Sequence, residues 1–112
     1  MTGKTEIDVR KVMIMGGSRI AVRIADIAPE YLKIKLIESD KAKSYKLVEK
    51  MNDTVIIQGD GRDIDLLKEE GIMDTDAFIA LTDSSETNIL ACLTAKGFGV
   101  PKTVAEVENI SF

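Results

Sequence analysis

Five short apolar runs, each next to a glycine, serine, aspartate or proline, set the strongest limit on what this 112-residue chain can fold into. They cover residues 11–15 (KVMIM, before Gly16 and Gly17), 32–38 (before Ser39 and Asp40), 54–58 (before GDG), 77–82 (before DSS) and 102–108 (after Pro101). Runs such as 12–15 and 77–81 lack polar alternation, which suits strands covered on both faces, as in a parallel sheet. Helical periods fill the gaps. Ile20, Ala21, Ile24, Ala25 and Ile27 recur at three- and four-residue spacing until Pro29 closes the segment. Asp40 is placed to cap a second helix with Ala42, Tyr45, Leu47, Val48 and Met51 on its apolar face. Residues 63–71 read as a short helix from Asp63 to a stop at Gly71. Asp83 with Glu86 forms an Asp-led capping box before a helix expected to bury Ile89, Leu90, Leu93 and Cys92 and to end at Gly97. The pattern is βαβαβαβαβ, and it predicts an α/β, Rossmann-like doubly wound parallel sheet with right-handed crossovers. One domain is expected over residues 10–112, preceded by an N-terminal extension, 1–9. An end so soon after the fifth run suggests one module of something larger, or a naturally minimal one.

In such sheets ligands sit at the carboxyl ends of the strands, near the point where strand order reverses. The stretch VMIMGGSRIA approaches the pattern G-x-G-x-x-G/A there, with Gly16 in the first position, Ser18 in the second and Ala21 in the third. The Cβ of Ser18 pushes a pyrophosphate away, whereas its hydroxyl is able to donate to a phosphate oxygen. Arg19, in the first helical turn, opposes the helix dipole at a cost of about 0.3–1 kcal/mol unless an anion compensates; a solvated side chain is the alternative. Glu38 stands 22 residues after Gly16, near the spacing at which an acid accepts from a ribose 2′-hydroxyl and repels a 2′-phosphate. A solvated glutamate at a strand end is the other reading. In GDGRD, Asp60 is placed either to meet an adenine amino group or to shape a plain turn. Thr82 and Asp83 fall at the lip of the expected cleft, Asp83 chiefly as the helix cap.

Composition closes off other chemistry. With no histidine and only Cys92, the chain assembles no zinc set, offers no imidazole for acid–base work and forms no internal disulfide. A lone thiol fits a reducing cytoplasm, and its apolar surroundings suggest a buried structural cysteine. A net charge of −4 gives no basic footprint for nucleic acid. No apolar run approaches the length of about 18 residues that spans a bilayer, so no direct membrane insertion is expected. The N-terminal MTGKTEIDVRK lacks the apolar core of a signal peptide. An oxidoreductase fragment is the weakest reading, because a catalytic half is missing, and no enzyme activity is expected.

VMIMGGSRIA, KLIESD, VIIQGDGRD and DAFIALTDSSETNILACLTAKGFG together resemble the TrkA family of potassium-uptake regulators. The likeness is to the nucleotide-binding RCK (KTN) domain of that family, over about residues 10–108, and most of all to the second of two tandem units. The resemblance implies a cytoplasmic regulatory subunit, peripheral to the inner face of the plasma membrane, that pairs as a homodimer or with a tandem domain. It also implies binding of NAD or NADH, or alternatively ATP, ADP or AMP, and ligand-dependent gating of a membrane potassium transporter. By family position Gly16, Gly17, Ser18, Arg19 and Ile20 lie on the phosphate side, Glu38 at the ribose, Asp60 and Gly61 at the adenine, and Thr82 and Asp83 along the same cleft. Two departures stand out: Ser18, and Glu106 where the family often carries arginine. They imply the alternative of a degenerate unit kept as a dimerisation or assembly scaffold without nucleotide.

Overall fold

A computed structural model describes residues 8–108, so positions 1–7 of the N-terminal extension lie outside the described residues. Five parallel strands, β1 (Lys11–Met15), β2 (Lys33–Glu38), β3 (Thr54–Gln58), β4 (Ala77–Ala80) and β5 (Lys102–Ala105), form one sheet in the order β3-β2-β1-β4-β5. The helices are α1 (Arg19–Ile27), α2 (Lys41–Lys50), α3 (Ile64–Glu69) and α4 (Ser85–Gly97), with a 3₁₀ turn at Ile72–Asp74. After β3 the chain crosses back to lay β4 beside β1, so strand order reverses between those two. This is the doubly wound α/β architecture that the strand–helix alternation predicts.

The central strand explains why the sheet is sandwiched. Val12, Met13, Ile14 and Met15 are all buried, and alternate side chains feed two separate cores. Met13 and Met15 join Ile37, Leu67, Phe78 and Ala95 under α3 and α4. Val12 and Ile14 join Ala21, Leu36, Leu47 and Met51 under α1 and α2.

Helix starts follow local capping chemistry. Ser18 Oγ accepts from Ala21 N–H at 3.2 Å, Asp40 Oδ1 from Lys43 N–H at 3.0 Å, and Asp63 Oδ1 from Asp65 N–H at 3.0 Å. At α4 the cap is Ser84, whose Oγ accepts from Thr87 N–H at 3.2 Å, and not Asp83. The register moves by one residue because Thr82 Oγ1 first accepts Ser84 N–H at 3.2 Å, tightening the loop before the helix. Gly71, at φ +89°, takes the left-handed position that ends α3.

Which side of each helix faces inward differs from the expected apolar stripes. On α4 the buried residues are Asn88, Ala91, Cys92 and Ala95, an i, i+3, i+4, i+7 series of small or polar side chains. Leu90 and Leu93 point outward, 63% and 60% exposed, and Ile89 is exposed as well. Small residues let α4 sit close enough for Cys92 Sγ to donate to Val104 O at 3.3 Å, and burial pushes that thiol's pKa up. On α2, Ser44 and Leu47 face the sheet while Ala42, Tyr45 and Val48 do not. On α1, Ala21 is buried and Ile24 and Ala25 pack beside it as expected, whereas Ile20 and Ile27 are exposed. β4 and β5 are also shorter than their apolar runs, because Thr82 N–H and Glu106 O are taken by the Asn88 side chain.

Asp76 fastens the opposite end of the sheet. Its Oδ2 accepts from the main-chain N–H of both Arg10 and Lys11 at 2.9 Å, joining the entry to β1 to the entry to β4. These bonds, first Lys11's and then Arg10's, hold its carboxyl below the usual range. The stability it supplies is present above the unfolded-state pKa of about 3.9 and is lost as pH falls through the lower folded-state value. Asp76→Ala should cost about 1.5 kcal/mol in urea unfolding at pH 7, the low end for bonds to a charged group. The gap to the parent chain should close as pH is lowered from 4 towards 2.

Candidate functional site

The carboxyl ends of the strands open into a cleft of about 580 Å³ across the β1/β4 switch point. Its floor is the turn out of β1. Gly16 adopts φ +101°, and a Cβ there would sit 2.9 Å from the backbone of Leu81 and Thr82. Only glycine permits both that dihedral and that approach. A Cβ on Gly17 would run into Leu47 Cδ1 and lie 3.0 Å from Glu38 Oε1. The two glycines thus press the turn against the neighbouring loops, and α1 begins at the cleft with no acidic residue in its first turn. Such an N-terminus favours an anion. Ser18 fits here as a cap: its oxygen accepts from Ala21 N–H, and its hydroxyl proton is left to donate elsewhere.

Glu38 is not a solvated strand end. It is 6% exposed. Oε1 accepts from Gly17 N–H at 2.7 Å, Oε2 accepts from Asp40 N–H at 2.8 Å, and Lys43 Nζ lies 3.9 Å from Oε1. One carboxylate therefore holds the β1–α1 and β2–α2 turns together, and the residue lines the cleft with acceptor capacity left over.

Asp60 and Gly61 lie on the wall beyond β3. A Cβ on Gly61 would strike the Met15 side chain, so the loop rests directly on the core. Asp60 is engaged by Arg62: Nε donates to Oδ1 and Nη2 to Oδ2, both at 3.0 Å, and the Arg62 main-chain N–H adds a third bond at 2.9 Å. The Arg62 side chain, followed by its main-chain N–H, draws the Asp60 carboxyl below its ordinary range.

The far lip is organised by Asn88, 1% exposed. Its Oδ1 accepts from Thr82 N–H at 3.0 Å and from the Thr82 hydroxyl at 2.6 Å. Its Nδ2 donates to Thr82 O at 3.0 Å and to Glu106 O at 2.8 Å. The side chain is fully satisfied, and Thr82's hydroxyl proton is committed inside the protein.

Of the sequence-predicted site residues, Gly16, Gly17, Ser18, Glu38, Asp60, Gly61, Thr82 and Asp83 all line this one cleft. Arg19 and Ile20 are not among its lining residues; both side chains are exposed at the start of α1. Lys43 and Arg62 are the cations that do line it, against Asp40, Asp83, Glu106 and Glu108 on the rim. An anionic ligand here would rely on backbone N–H groups and the helix end more than on side-chain charge. Neither Lys43 nor Asn88 carries a motif that singles it out in the sequence. Among the described residues, no group of three or more His, Cys, Asp or Glu is placed to hold a metal ion.

Comparison with known proteins gives consistent matches. Residues 12–112 match the TrkA-N domain family. The Trk system potassium uptake protein TrkA of Vibrio alginolyticus is 36% identical over 106 residues, covering 95% of this chain and 23% of that protein. The protein of the same name from Haemophilus influenzae is 34% identical over 109 residues, covering 97% of this chain and 24% of that protein. Trk system potassium uptake protein TrkA homolog 2 of Methanosarcina mazei is 33% identical over 104 residues, covering 91% of this chain and 23% of that protein. The chain spans about a quarter of the length of these curated relatives.

Because Glu38 satisfies two backbone donors, its removal should weaken the fold before any ligand is considered. Glu38→Ala should lower unfolding free energy by about 1–3 kcal/mol, the cost of leaving a buried N–H unpaired, in urea titrations without nucleotide. A fully stable Glu38→Ala variant would show that the carboxylate does not hold the two turns.

Proposed function

The chain belongs to the TrkA-N domain family, and from that premise we propose that it is a regulatory, non-enzymatic module that binds NAD or NADH in the β1/β4 cleft. Through that ligand it biases the gating of a membrane potassium transporter, from the cytoplasmic side, as part of a homodimer or a tandem pair. The observation that supports this reading best is the joint geometry of the Gly16–Ser18 turn, the uncompensated start of α1 and the buried Glu38. A pyrophosphate would lie over the α1 start, with the adenosine ribose at Glu38 and the nicotinamide half towards Thr82 and Glu106. NAD supplies a two-phosphate anion and a ribose diol, and both find partners there. ATP, ADP and AMP share the adenosine half and are the competing ligands.

Regulation needs more than binding. The nucleotide must favour one arrangement of the assembly over another, since equal affinity for both shifts nothing. A second reading, an assembly scaffold without nucleotide, draws on the exposed Leu90 and Leu93 of α4 and on the Cβ that Ser18 brings to the turn.

Calorimetric titration with NAD, NADH, ATP, ADP and AMP separates the two, with Ser18→Asp as the control. Aspartate caps a helix as well as serine does, so the variant should fold, yet its charge occupies the phosphate position. Binding should weaken at least about tenfold, as juxtaposed like charges cost several kcal/mol. If none of the five binds the folded parent chain, the scaffold reading replaces this one.

A further inference from the structure

The grip of Asp60 on Arg62 is unusual for a surface pair because it is built three ways. Two guanidinium nitrogens, Nε and Nη2, each meet a carboxylate oxygen at 3.0 Å, and the Arg62 main-chain N–H closes a small turn onto Oδ1 at 2.9 Å. An exposed ion pair contributes little to stability, and the Arg62 side chain is 70% exposed, so fold stability does not account for it. Its geometric consequence is definite. The contact uses one edge of the guanidinium plane, and the side chain stays 70% exposed. Gly61, which cannot carry a side chain above Met15, fixes the height of the loop at the cleft wall. No Phe, Tyr or Trp lines the cleft among the described residues, so the Arg62 guanidinium is the one planar delocalised side chain of size to stack there. A planar, weakly hydrated guanidinium with its edge occupied is a surface for stacking.

We propose that Arg62, held along one edge by Asp60, is the platform on which the purine base of a bound nucleotide stacks, so that the cleft reads the base by its face. This rests on the nucleotide-binding reading above. It assigns Asp60 a part besides any contact to the 6-amino group: Arg62 takes three of its lone-pair sites, and the carboxylate orients the platform. Recognition through a π face is tolerant of base identity, because every purine has one.

The test compares binding of NAD and of its deaminated analogue, with hypoxanthine in place of adenine, to the parent chain, Arg62→Ala and Arg62→Lys. The parent chain should bind the two ligands within about twofold of each other. Arg62→Ala should weaken both by the same factor, about three- to fivefold, the range of an exposed cation–π contact. Arg62→Lys, which keeps the charge and loses the plane, should not restore them. Melting temperatures should stay unchanged in both variants, since the side chain is solvent-exposed. Arg62→Ala binding like the parent would overturn the proposal, and so would full rescue by lysine or a more than tenfold preference of the parent chain for adenine. A parent chain that binds neither ligand would instead overturn the nucleotide reading itself, and the platform with it.

Discussion

One hydrogen bond sits under everything the cleft does: the Gly17 N–H donates to the buried Glu38 carboxylate at 2.7 Å. Two parallel strands meet side by side, and beyond the Gly16 N–H bond to Ile37 O at 2.8 Å the turns leaving them need a further tie. Glu38 supplies one, accepting Gly17 on one oxygen and Asp40 on the other. The first helix therefore starts at a fixed height above the sheet, at the edge of the cleft. A residue expected to greet a ligand is first of all a structural clamp. Ribose recognition, where it occurs, uses what that clamp leaves over.

The same economy recurs around the rim. Ser18 departs from the glycine pattern, yet its oxygen satisfies a donor of α1 and its hydroxyl proton stays available. Asp60 organises Arg62, and Asn88 organises Thr82 and Glu106. The side chains of Ser18, Glu38, Asp60, Thr82 and Asn88 thus each have a partner inside the protein. Buried polar groups demand this, and it makes the cleft a preformed feature, one that ligand binding need not assemble.

How far the sequence was legible follows from what each element depends on. β1, β2 and β3 were readable to within a residue because their apolar runs end where turn residues begin, and in β1 and β2 burial reinforces the pattern. β4 and β5 were read too long, because Asn88, 6 residues beyond Thr82 and 18 before Glu106, decides where they stop. Helix faces were misread where volume outranks hydrophobicity: Ala91, Cys92 and Ala95 allow close packing on the sheet, which Leu90 and Leu93 would obstruct. Most of the cleft was readable from the glycine turn and the strand ends. Arg19 and Ile20 were not separable from it by spacing, since which way the first turn of α1 faces depends on how the helix docks. Arg62 carried no reading in the sequence, because its contact with Asp60 depends on how the loop after β3 turns.

Asn88 has a mechanical consequence. A single buried amide bonds the end of β4 and the exit of β5 while riding on α4, whose opposite side presents Leu90 and Leu93 to the outside. Neither Thr82 nor Glu106 can be displaced alone without stranding a buried polar group. The least costly displacement carries all three segments together. The lip and the helix are thus coupled through one side chain, and a displacement of either is felt by the other.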